Sequence, residues 1–194
     1  MATGAVNSAL YLTGPGILYA APLATAEATS TVTASAFATT AWASWVALGS
    51  TADGWSFKDQ IKTDDVQAAE SYYPVKTITT GRNATADFTL QEISASNVKK
   101  ALNTTTATTT GTGATMLTEI SPPSVGSEVR TMLGWQSEDN TVRWIIYQAL
   151  QVGSMDIKFT KGATPAQLSL SFKLELPASG IPYKIQLAGA TRGA

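Results

Sequence analysis

The chain has 194 residues, 44% of them hydrophobic and 14% charged, with a formal net charge of −1 and neither histidine nor cysteine. That length and apolar content suffice for one sizeable core, so a single domain over residues 1–194 is expected. The missing residue types remove disulfides, thiolate and imidazole metal sites and triad hydrolases, and the balanced charge removes the basic patch that tight nucleic-acid binding needs.

Residues 16–23, Gly-Ile-Leu-Tyr-Ala-Ala-Pro-Leu, read as a first strand ended by Pro22. In residues 24–43, 16 of 20 are Ala, Ser or Thr. A segment so poor in large apolar side chains is expected to be a flexible loop, or an arm that orders on a neighbouring subunit with Phe37 and Trp42 as anchors. Trp42–Leu48, which includes Trp45, resumes as a strand, and Asp53-Gly54 then supplies the positive φ of a tight turn. Trp55, Phe57 and Ile61 alternate with Ser56, Lys58 and Gln60. Val66–Thr80 is expected as an edge or broken strand because Pro74 lies inside it, and Gly81 as the turn into the next strand.

That next strand alternates Ala84, Ala86, Phe88 and Leu90 with Thr85, Asp87, Thr89 and Gln91. One helix is expected at Ser94–Leu102, with capping serines, Val98, Ala101 and Leu102 on one face, and Lys99 and Lys100 near its C-terminal end. Residues 103–115, of which 8 of 13 are Thr, read as a second flexible loop. Strands then follow at Val129–Trp135, Val142–Leu150, Met155–Phe159, Leu168–Leu176 and Ile181–Leu187.

The clearest alternation is at 167–176, where Leu168, Leu170, Phe172, Leu174 and Leu176 oppose Gln167, Ser169, Ser171, Lys173 and Glu175. In Val142–Leu150, Trp144 and Ile146 face one way and Ile145 and Tyr147 the other. Apolar groups on both faces require two covers: the core on one side, and the helix or a partner subunit on the other. The fold class is mainly β, an antiparallel sandwich or half-barrel with one short flanking helix.

No catalytic, cofactor-binding or metal-binding residue emerges. Asp64-Asp65 and Glu138-Asp139 place neighbouring carboxylates on opposite faces of a strand, so they read as solvated turn charges. Gly14-Pro-Gly16 and Gly111-Thr-Gly113 lack the strand-to-helix context of a phosphate loop. The tryptophans other than Trp42 sit among apolar strand neighbours and read as core. No basic residue precedes Lys58, so no secretory or transit segment is expected, and no apolar run approaches the roughly 18–20 residues that span a bilayer. Charged residues fall well below the usual share of about 25%, and a surface of uncharged polar groups suits extensive contact with partners.

Four stretches in order carry a resemblance: Leu48–Lys58, then Ser71-Tyr-Tyr-Pro-Val-Lys76, then Thr80–Glu92 ending in Thr-Leu-Gln-Glu, then Ser96–Asn103 with Asn97-Val-Lys-Lys-Ala-Leu102. Together with the short strand at Gly16, they resemble the major tail protein, or tail tube protein, of long flexible-tailed bacteriophages, over roughly residues 14–103. The resemblance implies a structural, non-enzymatic, cofactor-free subunit. It implies self-assembly into hexameric rings that stack as a tube, with inner strands forming a continuous barrel around a lumen. Genome DNA would pass through during ejection without tight binding. The implied partners are further copies of the chain, a tape-measure protein and tail terminator or tip proteins, with no membrane binding. The implied location is the virion tail, after synthesis in the host cytoplasm.

Lumen-facing candidates are Thr85, Asp87, Thr89 and Gln91 with Ser169, Ser171, Lys173 and Glu175. Subunit-interface candidates are Phe37, Trp42, Trp45, Ile145 and Tyr147. Two alternatives stay open on sequence: another head–tail or tail-completion component, and a carbohydrate-binding or adhesin sandwich whose tryptophans face a ligand.

Overall fold

The computed structural model describes residues 16–33, 36–159 and 166–189. Along the chain lie β1 (Gly16–Pro22), β2 (Val32–Thr33), β3 (Ala36–Phe37), a 3-10 turn (Thr39–Trp42), β4 (Val46–Ala47), β5 (Thr51–Val66), β6 (Lys76–Leu90) and α1 (Ala95–Ala101). They are followed by β7 (Thr108–Thr110), a 3-10 turn (Gly113–Thr115), β8 (Leu117–Glu119), β9 (Thr131–Ser137), β10 (Val142–Gln151), β11 (Asp156–Lys158), β12 (Gln167–Leu174) and β13 (Tyr183–Leu187). One nine-stranded sheet runs β4-β1-β9-β10-β12-β6-β5, with β11 on β12 and β13 on β10. Every pairing is antiparallel.

The period-two alternation builds the core. Leu168, Leu170 and Phe172 of β12 and Ala86, Phe88 and Leu90 of β6 bury one face of their half of the sheet. The same core takes Leu18 and Ala20 from β1, Leu133 and Trp135 from β9, and Val142 and Ile146 from β10. The sheet therefore folds back over its own inner face as an open sandwich, not a closed barrel. Aromatic rings hold the two halves together. Trp55 of β5 stacks on Trp135 at 5.5 Å and meets Trp144 edge-on at 5.6 Å. Phe57 meets Tyr183 at 4.9 Å, and the Tyr183 hydroxyl donates to Asp59 at 2.5 Å. Each such ring pair contributes about 0.5–1.5 kcal/mol beyond its buried area.

Long-range pairing overrides several local signals. Asp53-Gly54 is not a hairpin turn: the register with β6 slips between Thr51 and Trp55, and Gly54, at φ +77°, sits in that bulge. The expected break at Pro74 is present, but the turn expected at Gly81 is not. Pro74 lies in the turn joining β5 to β6, and Gly81 sits within β6 opposite Lys62, beside a second register slip. Strands of 16 and 15 residues pair along almost their whole length, and that ladder outweighs single glycines.

Trp42–Leu48 is not a strand. A 3-10 turn reaches Trp42, and only Val46–Ala47 pair, with β1. β12 stops at Leu174, so Leu176, expected inside, lies exposed before Pro177. The Thr-rich stretch contains β7, which pairs with β8.

The helix forms where expected, with the Ser94 hydroxyl accepting from the Asn97 amide at 3.2 Å. Its buried side chains are Asn97 and Ala101, not a purely apolar stripe. The Asn97 side-chain amide donates to the carbonyls of Leu48, at 2.9 Å, and Glu92, at 2.8 Å, tying α1 to the start of β5 and the end of β6.

Candidate functional site

Two faces of the sheet, one of them covered by a strap, carry most of the sequence candidates. The first face is polar and lies on the side of β6 and β12 away from the core. Direct pairing sets Thr85 beside Lys173, Asp87 beside Ser171 and Thr89 beside Ser169. On the other flank of β6, Ser56 pairs with Asp87 and Lys58 with Thr85. The Thr89 and Ser169 hydroxyls share a hydrogen bond at 3.2 Å, and the Ser171 hydroxyl donates to the Asp87 carboxylate. Six of the eight lumen candidates thus form one wall of hydroxyls and nearly balanced charge.

Gln91 and Glu175 lie past the ends of β6 and β12. The Gln91 amide donates to the Ser50 carbonyl at 2.9 Å. The Glu175 carboxylate instead receives Arg130 at 3.0 Å and the Gln148 amide at 2.9 Å.

The second face lies on β1, β9 and β10, and the segment from Thr25 to Trp45 straps across it. Ala28, Ala41, Trp42 and Trp45 of the strap pack with Ala21, Met132 and Ile145 of the sheet, flanked by Tyr19 and Tyr147. The chain itself therefore supplies the second cover that β10 requires. Phe37, Trp42, Trp45 and Ile145 are buried within the chain, and Tyr147 is half-buried.

Trp42 stacks on Tyr19 at 4.5 Å with ring planes 8° apart. The Trp42 ring occupies the space above Gly134, where an added Cβ would come within 2.3 Å of it. The strap is stitched further by the Trp45 indole donating to the Ala26 carbonyl at 3.0 Å and the Phe37 amide donating to the Asn140 carbonyl at 2.8 Å.

Arg143 lies beneath the strap, fully buried. Its Nε and Nη2 donate to Gln136 Oε1 at 3.1 and 2.9 Å, and its Nη1 donates to the Thr29 carbonyl at 3.0 Å. The guanidinium sits over the Phe37 ring at 4.1 Å and the Trp42 ring at 5.1 Å. Trp42 Nε1 also donates to Gln136 Oε1, at 2.5 Å. Sequence reasoning missed Arg143, Gln136 and Gly134. A signal existed for the first, since Arg143 shares the strand parity of Ile145 and Tyr147 and so belongs to the covered face.

Electrostatics fasten the edges. At the rim of the strap, the Lys184 ammonium and then the Tyr147 hydroxyl, at 2.9 and 2.7 Å, hold the Glu27 carboxyl below its ordinary value against partial desolvation. Arg82 and then Tyr183 do the same for Asp59, and Arg130 and then Gln148 for Glu175. Burial pushes the Arg143 guanidinium below its usual value.

Carboxyls with depressed folded pKa values contribute stability that is complete above their unfolded values, near 4, and lost as pH falls through the folded ones. The urea midpoint is therefore expected to hold between neutrality and about pH 5 and to drop below about pH 4. Glu27→Gln should flatten part of that acid slope. A midpoint that rises on acidification would contradict the assignment.

The projections leave opposite ends of β6. At its start, strands β5 and β6 run on as a two-stranded ribbon whose residues 61–66 and 76–80 are exposed, with Tyr72 and Tyr73 in the turn almost wholly in solvent. Beyond its other end, α1 leads to residues 104–128, which carry the β7–β8 hairpin and exposed Met116 and Leu117. Asn103 and Val129 close the base of this lobe, the Val129 amide donating to the Asn103 carbonyl at 2.8 Å.

Among the described residues no cluster of three or more His, Cys, Asp or Glu could hold a metal ion, and no helix is long and apolar enough to cross a membrane. A family model described as phage tail tube protein matches residues 3–174. The chain belongs to the phage tail tube protein family. No curated protein matches it. Membership makes it a structural component of the virion tail, extends the resemblance seen at residues 14–103, and takes in every strand through β12.

Proposed function

We propose that this chain is the self-assembling subunit of a tail tube, stacking as hexameric rings around a lumen through which genome DNA passes during ejection. The observation that carries this reading is the polar wall of β6 and β12, backed along its whole length by a packed core. Its paired threonine and serine hydroxyls, with Asp87 offsetting a lysine, present hydrogen-bonding groups without the excess of cations that would hold phosphates in place.

In this reading Thr85, Asp87, Thr89, Ser169, Ser171 and Lys173 line the lumen. Phe37, Trp42, Trp45, Ile145 and Tyr147 serve assembly by seating the strap, whose exposed residues Thr29–Val32 and Ala43–Ala47, apart from the buried Trp45, face a neighbouring subunit. A tape-measure protein within the lumen and terminator or tip proteins at the tube ends complete the partners. The subunit carries out no catalysis. A carbohydrate-binding sandwich would turn its tryptophans outward, whereas all five here pack into the two cores.

Concentrated purified protein is expected to form hollow tubes or six-fold rings by negative-stain electron microscopy, with matching large species in analytical ultracentrifugation. A monomer at every concentration and salt would overturn the reading.

A further inference from the structure

Asp53-Gly54, which forms no hairpin turn, is the one Asp-Gly or Asn-Gly pair in the chain. It lies where β5 and β6 lose register. Between the paired residues Thr51 and Trp55, the three residues Ala52, Asp53 and Gly54 stand opposite Thr89 alone, and none of them has a partner in the ladder. A bulge of this kind frees the main chain from the pairing that fixes a strand. Asp53 is exposed, and a Cβ added at Gly54 would meet nothing within 4 Å.

Comparable side chains elsewhere are tied down. Arg82 and Tyr183 hold Asp59, the Thr77 hydroxyl donates to Asp65 at 2.7 Å, and the Ser171 hydroxyl donates to Asp87. The Asn103 side chain bonds the Gln151 backbone in both directions. Among the described residues, nothing holds the Asp53 carboxylate by a hydrogen bond or an ion pair. The following residue matters as much. A β-carbon there hinders attack by its amide nitrogen on the preceding side chain, and Gly54 has none, whereas Asn103 and Asn140 precede the β-branched Thr104 and Thr141.

We propose that Asp53 is a site of spontaneous main-chain isomerisation, in which the peptide link to Gly54 passes from the α- to the β-carboxyl of Asp53. The Gly54 nitrogen attacks Asp53 Cγ and forms a bond to it. The amide proton and the carboxyl hydroxyl leave as water, closing a five-membered succinimide. Water then reopens the ring. Addition at Cγ restores aspartate. Addition at the Asp53 main-chain carbonyl carbon breaks its bond to the Gly54 nitrogen and leaves isoaspartate, with the chain running through Cβ and Cγ and the former main-chain carbonyl now a free carboxylate. One water leaves and one enters, nothing is oxidised or reduced, and neither enzyme nor metal is required. The product carries one more methylene in the main chain, just before Trp55, whose ring joins the two halves of the sandwich. The unpaired bulge takes up that length, so Thr51 and Trp55 keep their partners and the chain stays folded.

Full-length protein kept for weeks at neutral pH and physiological temperature is expected to accept methyl groups from S-adenosylmethionine through a purified isoaspartyl methyltransferase. Peptide mapping should then find an isomer of unchanged mass at Asp53. The folded chain should form it within about tenfold of the rate in urea, because a segment that opens at almost no cost gives no protection. Asp53→Glu keeps the exposed charge but cannot close the five-membered ring, so the signal at this position should vanish. The isomerised fraction should keep the urea midpoint of fresh protein. A folded chain that stays unmodified, whether or not the unfolded chain isomerises, would overturn the site. So would label confined to other residues, or label unchanged in Asp53→Glu. A lowered midpoint in the isomerised fraction would show that the bulge does not absorb the added methylene.

Discussion

Ile145→Lys is expected to abolish folding. Ile145 has no solvent exposure and lies between Met132 on the sheet and Ala28, Ala41, Trp42 and Trp45 on the strap. An ammonium there meets apolar carbon and, two residues away on the same face, the buried Arg143 guanidinium. An uncompensated buried charge costs on the order of 3–5 kcal/mol, a large share of the roughly 5–15 kcal/mol that stabilises a typical domain. Ile145→Val, which removes one methylene, should cost only about 0.5–1.5 kcal/mol and keep a cooperative urea transition. Insoluble or unfolded lysine variant beside a folded valine variant is the expected pair of results. A soluble lysine variant with the midpoint of the intact chain would mean that the strap does not cover this face.

The second large effect is expected at Arg143. Truncation to alanine removes three charge-assisted hydrogen bonds and two ring contacts and opens a cavity beneath the strap. The combined loss is about 3 kcal/mol, read as a lower urea midpoint with an unchanged slope. Arg143→Met should be milder than alanine, because it fills much of the volume and removes the cost of keeping a cation out of water. Gln136 would still accept from the Trp42 indole, though the Thr29 carbonyl would lose its donor. Hydrogen exchange should show the strap amides of Thr29 and Phe37 losing protection before those of β6 and β12. An alanine variant with an unchanged midpoint would show that the strap is held by its tryptophans alone.

What could be read from sequence follows from the range of each interaction. Leu168, Leu170, Phe172, Ala86, Phe88 and Leu90 declared their face through local alternation, and their polar complements on the other face formed the wall for the same reason. Ser94 declared the helix start through a bond spanning three residues. The alternation failed at Gln91, Glu175 and Leu176 because it continues in sequence after the strands have stopped pairing.

The strap's destination was not legible. Its composition suggested disorder, yet a few aromatic anchors suffice when the receiving face offers a glycine hollow at Gly134 and an arginine at 143. Those features come from β9 and β10, about a hundred residues further along, and no local pattern in residues 24–43 encodes them. The long hairpin was misread at Gly54 and Gly81 for the same reason: the partner strand, and not the glycine, decides where β5 and β6 run on.

The pairing of β1 with β9 also governs the order of events during synthesis. β1 leaves the ribosome early, but every residue of its β9 partner, Thr131–Ser137, is made more than a hundred residues later. At roughly 5–20 residues per second the first strand and the strap wait about 5 to 20 seconds for the surface on which they settle. The β5–β6 hairpin closes locally in that interval, while the strap's seat and the polar wall, which needs β12, come last. Polymerisation thus awaits a nearly complete chain, and nascent fragments lack the finished surfaces on which a tube would grow.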